Sequence, residues 1–131
     1  MKTILLVDDN LTYIEYLKKF LQWNGYHVNI AGTFNEAVMC IKDNPPALIC
    51  SDFDLQERTG IELLDELNSQ NLQIPFIILS CHEKEDYEME ALAHGTTLCL
   101  DKMQTSMVRD TLLTYAEKYC RLTEVKVSDS F

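Results

Sequence analysis

The stretch Leu5-Leu6-Val7-Asp8-Asp9-Asn10 joins an apolar run directly to two adjacent carboxylates. The run, residues 4–7, has the length of a strand buried on both faces, the usual reading of a strand in a parallel sheet. Asp8 and Asp9 then stand at its carboxyl end. In open parallel sheets that edge is where ligands bind, near the point at which the strand order reverses. The reading of the chain turns on whether other strands end in the same way.

Four more short apolar runs follow, at residues 27–31, 47–50, 76–79 and 97–100. Stretches with helical spacing separate them. Tyr13, Ile14, Leu17, Phe20 and Leu21 form a stripe that Gly25 stops, and Thr33 caps a helix carrying Ala37, Val38 and Ile41 that Asn44-Pro45-Pro46 ends. A third helix carries Ile61, Leu64 and Leu67. A fourth is expected over 84–94 with Gly95 as its stop, and a fifth over 106–119. Five alternating βα units predict an α/β fold: a five-stranded parallel sheet with right-handed crossovers and helices on both faces, doubly wound in the flavodoxin-like manner.

At 131 residues the chain has room for one domain, expected over 1–120, with 121–131 as a tail or linker stub. The formal charge of −10 argues against direct nucleic-acid binding, which needs clustered Lys and Arg. Cys40, Cys50, Cys81, Cys99 and Cys120 show no CxxC pairing and read as reduced thiols, with Cys50 and Cys99 acting as small hydrophobes. Neither a signal peptide nor a run of 18 apolar residues is evident, so a cytoplasmic protein without a membrane span is expected.

The strand ends carry the chemistry. The third run is followed by Ser51-Asp52, the fourth by Ser80, and the fifth by Asp101-Lys102. Asp8, Asp9 and Asp52 gathered at one edge repel each other and call for a cation. Mg²⁺, or Mn²⁺, suits such a set because it binds through a few carboxylates and leaves room for phosphate oxygens. Asp52 is then the candidate nucleophile, accepting a phosphoryl group. Ser80 can hydrogen-bond the phosphoryl oxygens, and Lys102 can pair with them as a point charge.

In these residues the chain resembles the receiver domain of bacterial two-component response regulators. The matching features are the Asp pair in LLVDDN, Asp52 with Gly60 eight residues later, Ser80, and Lys102, in that order from Lys2 to about Cys120. The resemblance implies transfer of a phosphoryl group to Asp52 from a histidine kinase or phosphotransfer protein. It implies a metal held by Asp8, Asp9, Asp52 and the Asp54 backbone carbonyl. It also implies a switch in a protein-interaction surface that serves a downstream target or effector domain, with a homodimer as one possible form. The domain would be no enzyme beyond catalysing its own phosphorylation and dephosphorylation. Asp54 and His82 would flank the phosphoryl group and modulate attack by water.

Three positions depart from the family pattern. Cys99 occupies the aromatic switch position, and a cysteine has no ring to swing; Tyr87 or Tyr115 could stand in for it. Met103 replaces the proline after the lysine, so a trans bond is expected there. Gln56 replaces a proline four residues after the acceptor, which leaves the 53–59 loop without that restraint. These departures support one alternative, a receiver-like interaction module that signals without phosphorylation. Asp52-Phe53-Asp54 also resembles the DxD pair of haloacid dehalogenase-type phosphatases, although their motif closes a first strand. A flavodoxin-like cofactor protein shares the architecture but needs amide or hydroxyl donors for its phosphate, not carboxylates.

Overall fold

Each apolar run becomes a strand of one parallel sheet in the computed structural model, which describes residues 2–56 and 58–120. The strands are β1 (Thr3–Val7), β2 (His27–Ala31), β3 (Leu48–Asp52), β6 (Phe76–Ser80) and β7 (Leu98–Asp101), in the order β2-β1-β3-β6-β7. The chain runs outward from β1 to β2, then returns to the other side of β1 with β3. The strand order therefore reverses between β1 and β3. The expected tail, 121–131, lies outside the described residues.

Alternate residues of the central strands enter different cores. Leu5 and Val7 of β1 pack with Ala37, Ile41, Leu63, Leu64 and Ala91, beneath α2 (Phe34–Asp43), α3 (Gly60–Ser69) and α4 (Glu88–Ala93). Ile4 and Leu6 pack with Ile14, Leu17, Val108 and Leu112, beneath α1 (Leu11–Trp23) and α5 (Thr105–Cys120). Strands covered on both sides need apolar residues at every position, which is why they read as continuous runs. Each fully buried Leu or Ile here is worth about 2–5 kcal/mol against truncation to Ala.

Helix ends follow their local chemistry. Thr33 accepts a hydrogen bond from the Glu36 backbone N–H at 3.1 Å, and Thr59 with Glu62 forms a reciprocal capping box on α3. Gly25 has φ +93° just past α1, a conformation that a residue with a Cβ disfavours.

Two segments differ from the sequence expectation. The helix expected over 84–94 is broken, with a 3₁₀ turn at Lys84–Asp86, Tyr87 at the junction, and α4 limited to Glu88–Ala93. Glu83, Glu85, Asp86, Glu88 and Glu90 crowd this segment, and like charges three and four apart weaken a helix. The 53–59 loop contains a small antiparallel ribbon, β4 (Asp54–Leu55) with β5 (Arg58–Thr59).

Candidate functional site

Strand register brings the carboxyl ends level. Val7 pairs with Ser51, Ser51 with Ile78, and Ser80 with Asp101, so the residues just beyond them share one edge. Asp8, Asp9 and Asp52 each contribute an oxygen to a group whose members lie within 4.8 Å of one another. Asp8 and Asp52 are buried and Asp9 is exposed. A dense cluster of hard oxygen donors, open to solvent on the Asp9 side, matches what a small divalent cation requires.

Lys102 is the cation already present. Its Nζ donates to Asp8 Oδ2 at 2.6 Å and lies 3.6 Å from Asp52 Oδ2, with the lysine side chain 10% exposed. The Lys102 backbone N–H donates to the Ser80 carbonyl at 3.0 Å, tying the lysine to the end of β6. Burial lowers the lysine pKa, but the Asp8 hydrogen bond and the charges of Asp52 and Asp8 outweigh it and leave a net rise.

Asp52 is the carboxylate left least compensated. Its pKa is pushed up to about 6, first by burial and then by the Asp8 charge, with Lys102 and the Asp54 backbone amide opposing. Repulsion among the carboxylates, the cause that the sequence suggested, comes second to desolvation. Ser80 is fully buried at the end of β6, and its Oγ accepts the His82 backbone N–H at 2.9 Å.

Local packing brings α3 close against the backbone at Asp52. A Cβ added at Gly60 would stand 2.7 Å from the Asp52 carbonyl oxygen, so the N-terminus of α3 can approach the acceptor strand only with glycine there. The Gly60 N–H donates to the Phe53 carbonyl at 2.7 Å.

Asp54 and His82 meet across the mouth of the site, Nε2 to Oδ2 at 2.7 Å, both half exposed. The Phe53 ring lies beneath them, 5.4 Å from the imidazole in an edge arrangement and 4.9 Å from the Tyr87 ring. Asp54 is held in the ribbon by pairing with Thr59.

The departures from the family pattern have local explanations. Cys99 is buried, and burial pushes its thiol up to about 11, so it is an unreactive apolar filler. Tyr87 is 4% exposed and turned inward, whereas Tyr115 lies on α5 beside Tyr119, at 6.1 Å. The described residues contain no cis peptide bond, and the Met103 N–H donates to Asp101 Oδ1 at 2.8 Å, a hydrogen bond that a proline could not make. Gln56 has φ +64°, so proline, fixed near −65°, is excluded from the loop geometry seen here. Its Nε2 reaches Asp9 Oδ2 at 3.4 Å.

Sequence reasoning did not single out Asn10 or Gln56 as site residues, and it took Tyr13 only as part of a core stripe. Asn10 donates its N–H to Asp8 Oδ1 at 2.9 Å while its own side chain caps α1 at Tyr13 N. The signal for it was available, because an Asn before an amphipathic stripe is a standard cap. Nothing in the linear pattern marks a contact between residues 13 and 102.

Comparison with known proteins identifies the same site family. The family model "Response regulator receiver domain" matches residues 4–113. The transcriptional regulatory protein ZraR of Klebsiella oxytoca is 29% identical over 97% of this chain and 29% of its own length. The two-component response regulator ARR10 of Arabidopsis thaliana is 33% identical over 70% of this chain and 17% of its length. This chain thus spans less than a third of these curated relatives. Among solved structures, a CheY-like response regulator receiver domain protein from Methanospirillum hungatei JF-1 superposes with a TM-score of 0.80 at 27% identity, covering 91% of this chain and 94% of that one.

Proposed function

The chain belongs to the response regulator receiver domain family, and from that premise we propose that it takes a phosphoryl group on Asp52 and changes a protein-interaction surface in response. The observation that carries this reading is the joint presence of Asp8, Asp9, Asp52 and Lys102 at the strand-order reversal, with Lys102 within 4 Å of both buried carboxylates.

In the reaction an Asp52 oxygen attacks phosphorus. The new P–O bond forms as the P–N bond of a donor phosphohistidine breaks, and the electron pair leaves with the imidazole. Positioning and charge neutralisation supply the catalysis. A bound Mg²⁺ or Mn²⁺, with the three carboxylates and the Asp54 backbone carbonyl as candidate ligands, would neutralise charge on the phosphoryl oxygens. Lys102 offers the same oxygens an ammonium, and Ser80 offers a hydroxyl. Asp54 and His82, bridged over the mouth, limit the approach of water.

The donor is a histidine kinase or phosphotransfer protein, and the target is a downstream partner or effector domain. The domain acts in the cytoplasm and catalyses only its own phosphorylation and dephosphorylation. No helix among the described residues is long and apolar enough to cross a membrane. The test is incorporation of labelled phosphate from acetyl phosphate, expected with Mg²⁺ and abolished by EDTA. Equal incorporation with and without the metal would contradict the reading.

The second reading, an interaction module that signals without phosphorylation, is favoured by one specific observation: the switch position is filled by the buried Cys99, which carries no ring. Partner binding that persists unchanged in Asp52→Asn would support it.

A further inference from the structure

Lys102 has a third neighbour besides the two carboxylates. Its Nζ lies 4.7 Å from the centroid of the Tyr13 ring, within the distance at which an aromatic face attracts a cation. Tyr13 sits in the first turn of α1, and the element that places it also fixes Asp8. The Asn10 side chain accepts the Tyr13 backbone N–H at 3.2 Å, and the Asn10 N–H donates to Asp8 Oδ1 at 2.9 Å. Asp8 then uses its other oxygen for Lys102. One helix cap therefore locks carboxylate and ring into a bracket around the ammonium.

We propose that Tyr13 is a positioning residue for Lys102, its ring face holding the ammonium in the pocket while leaving the lysine protons free for the acceptor and its phosphoryl group. This inference rests on the reading of Asp52 as phosphoacceptor. The chemistry of the three neighbours gives the reason. A carboxylate holds a lysine by taking up one of its three N–H donors, whereas an aromatic face stabilises the charge and takes none. An ammonium held only by Asp8 would lose counter-charge whenever that contact lengthened as the lysine turned toward transferred oxygens. With the ring beside it, the charge stays compensated as the donors change partner.

The phenol oxygen plays no part in this role. It is buried and makes no hydrogen bond, so the ring is held by packing with the α1 and α5 core and not by its hydroxyl. The ring is therefore the active element, and phenylalanine should serve as well as tyrosine.

The experiment uses the whole chain in two arms. In the resting protein, NMR of the Lys102 ε-methylene protons should show an upfield ring-current shift, kept in Tyr13→Phe and lost in Tyr13→Leu. With acetyl phosphate and Mg²⁺, Tyr13→Leu should lower the phosphorylation rate constant by about 3- to 30-fold with little change in the half-saturating donor concentration, and Tyr13→Phe should stay within about two-fold of the parent. Lys102 ε-protons at unshifted positions in the parent protein would overturn the proposal without any variant. So would Tyr13→Phe slowing as far as Tyr13→Leu, or Tyr13→Leu reacting at the parent rate. If the parent takes no phosphoryl group, the functional reading fails, and the NMR arm still decides whether Tyr13 holds Lys102.

Discussion

Lys102 and Asp8 form a 2.6 Å ion pair, while the Lys102 Nζ stands 3.6 Å from Asp52. Among the described residues, the one cation at the centre of the site is committed to the neighbour of the acceptor. Asp52 is left with a partial counter-charge in a largely buried place, and this imbalance has measurable consequences.

The metal-free domain should lose stability as pH rises from about 4 to 6. The Asp52 pKa is raised from its ordinary value to about 6 in the fold. The unfolded chain therefore gives up that proton first, and the contribution is full below the unfolded pKa and gone above the folded one. After allowance for solvent screening the effect is on the order of 1–2 kcal/mol. Urea denaturation in EDTA should show it, and Asp52→Asn should flatten the pH dependence in that window. Mg²⁺ at about 100 times its dissociation constant should add about 2.7 kcal/mol at pH 7 to the parent protein. A parent that is equally stable across the window, or indifferent to Mg²⁺, would argue against the carboxylate cluster as described.

Gln56 adopts φ +64°, so it has a substitution that should stabilise the fold. Gln56→Gly should gain about 0.5–1 kcal/mol by relieving the left-handed strain, and Gln56→Pro should be destabilising because the ring cannot reach that conformation. Chemical denaturation midpoints of the two variants should move in opposite directions.

Tyr87→Phe should change stability by no more than about 1 kcal/mol, since the buried hydroxyl makes only a weak contact toward Ser80 and the ring stays against Phe53. Tyr87→Ala should cost about 3–5 kcal/mol. A Phe variant destabilised as much as the Ala variant would mean that the hydroxyl makes a strong hydrogen bond in solution.

The His82–Asp54 bridge lies over the acceptor, and both side chains are about half exposed. An exposed pair of this kind is worth at most about 1 kcal/mol, so His82→Ala should speed hydrolysis of the acyl phosphate by about two- to five-fold. The decay of labelled protein after removal of the donor measures this. A longer lifetime in the variant would assign His82 to assisting the attack by water.

The five strands were legible because burial on both faces leaves continuous apolar runs, and Asp8, Asp9, Asp52, Ser80 and Lys102 were legible because each closes or follows one of those runs. The break at Tyr87 was not legible. It falls where a row of like charges competes with helix propensity, at a residue whose ring packs on Phe53. The ribbon after Asp52 was hidden for a similar reason, since two-residue strands leave no periodicity. Gln56 read as a missing proline, whereas the backbone there has the opposite sign of φ. Tyr13 looked like core because its stripe is core, and only the fold brings it to a lysine 89 positions away in the chain.

Asp52 as the phosphoacceptor is tested most directly by intact mass spectrometry of the chain after incubation with acetyl phosphate and Mg²⁺. The parent protein should gain one phosphoryl mass and Asp52→Asn none. An unmodified parent at every Mg²⁺ concentration, or an equal gain in Asp52→Asn, would contradict the assignment.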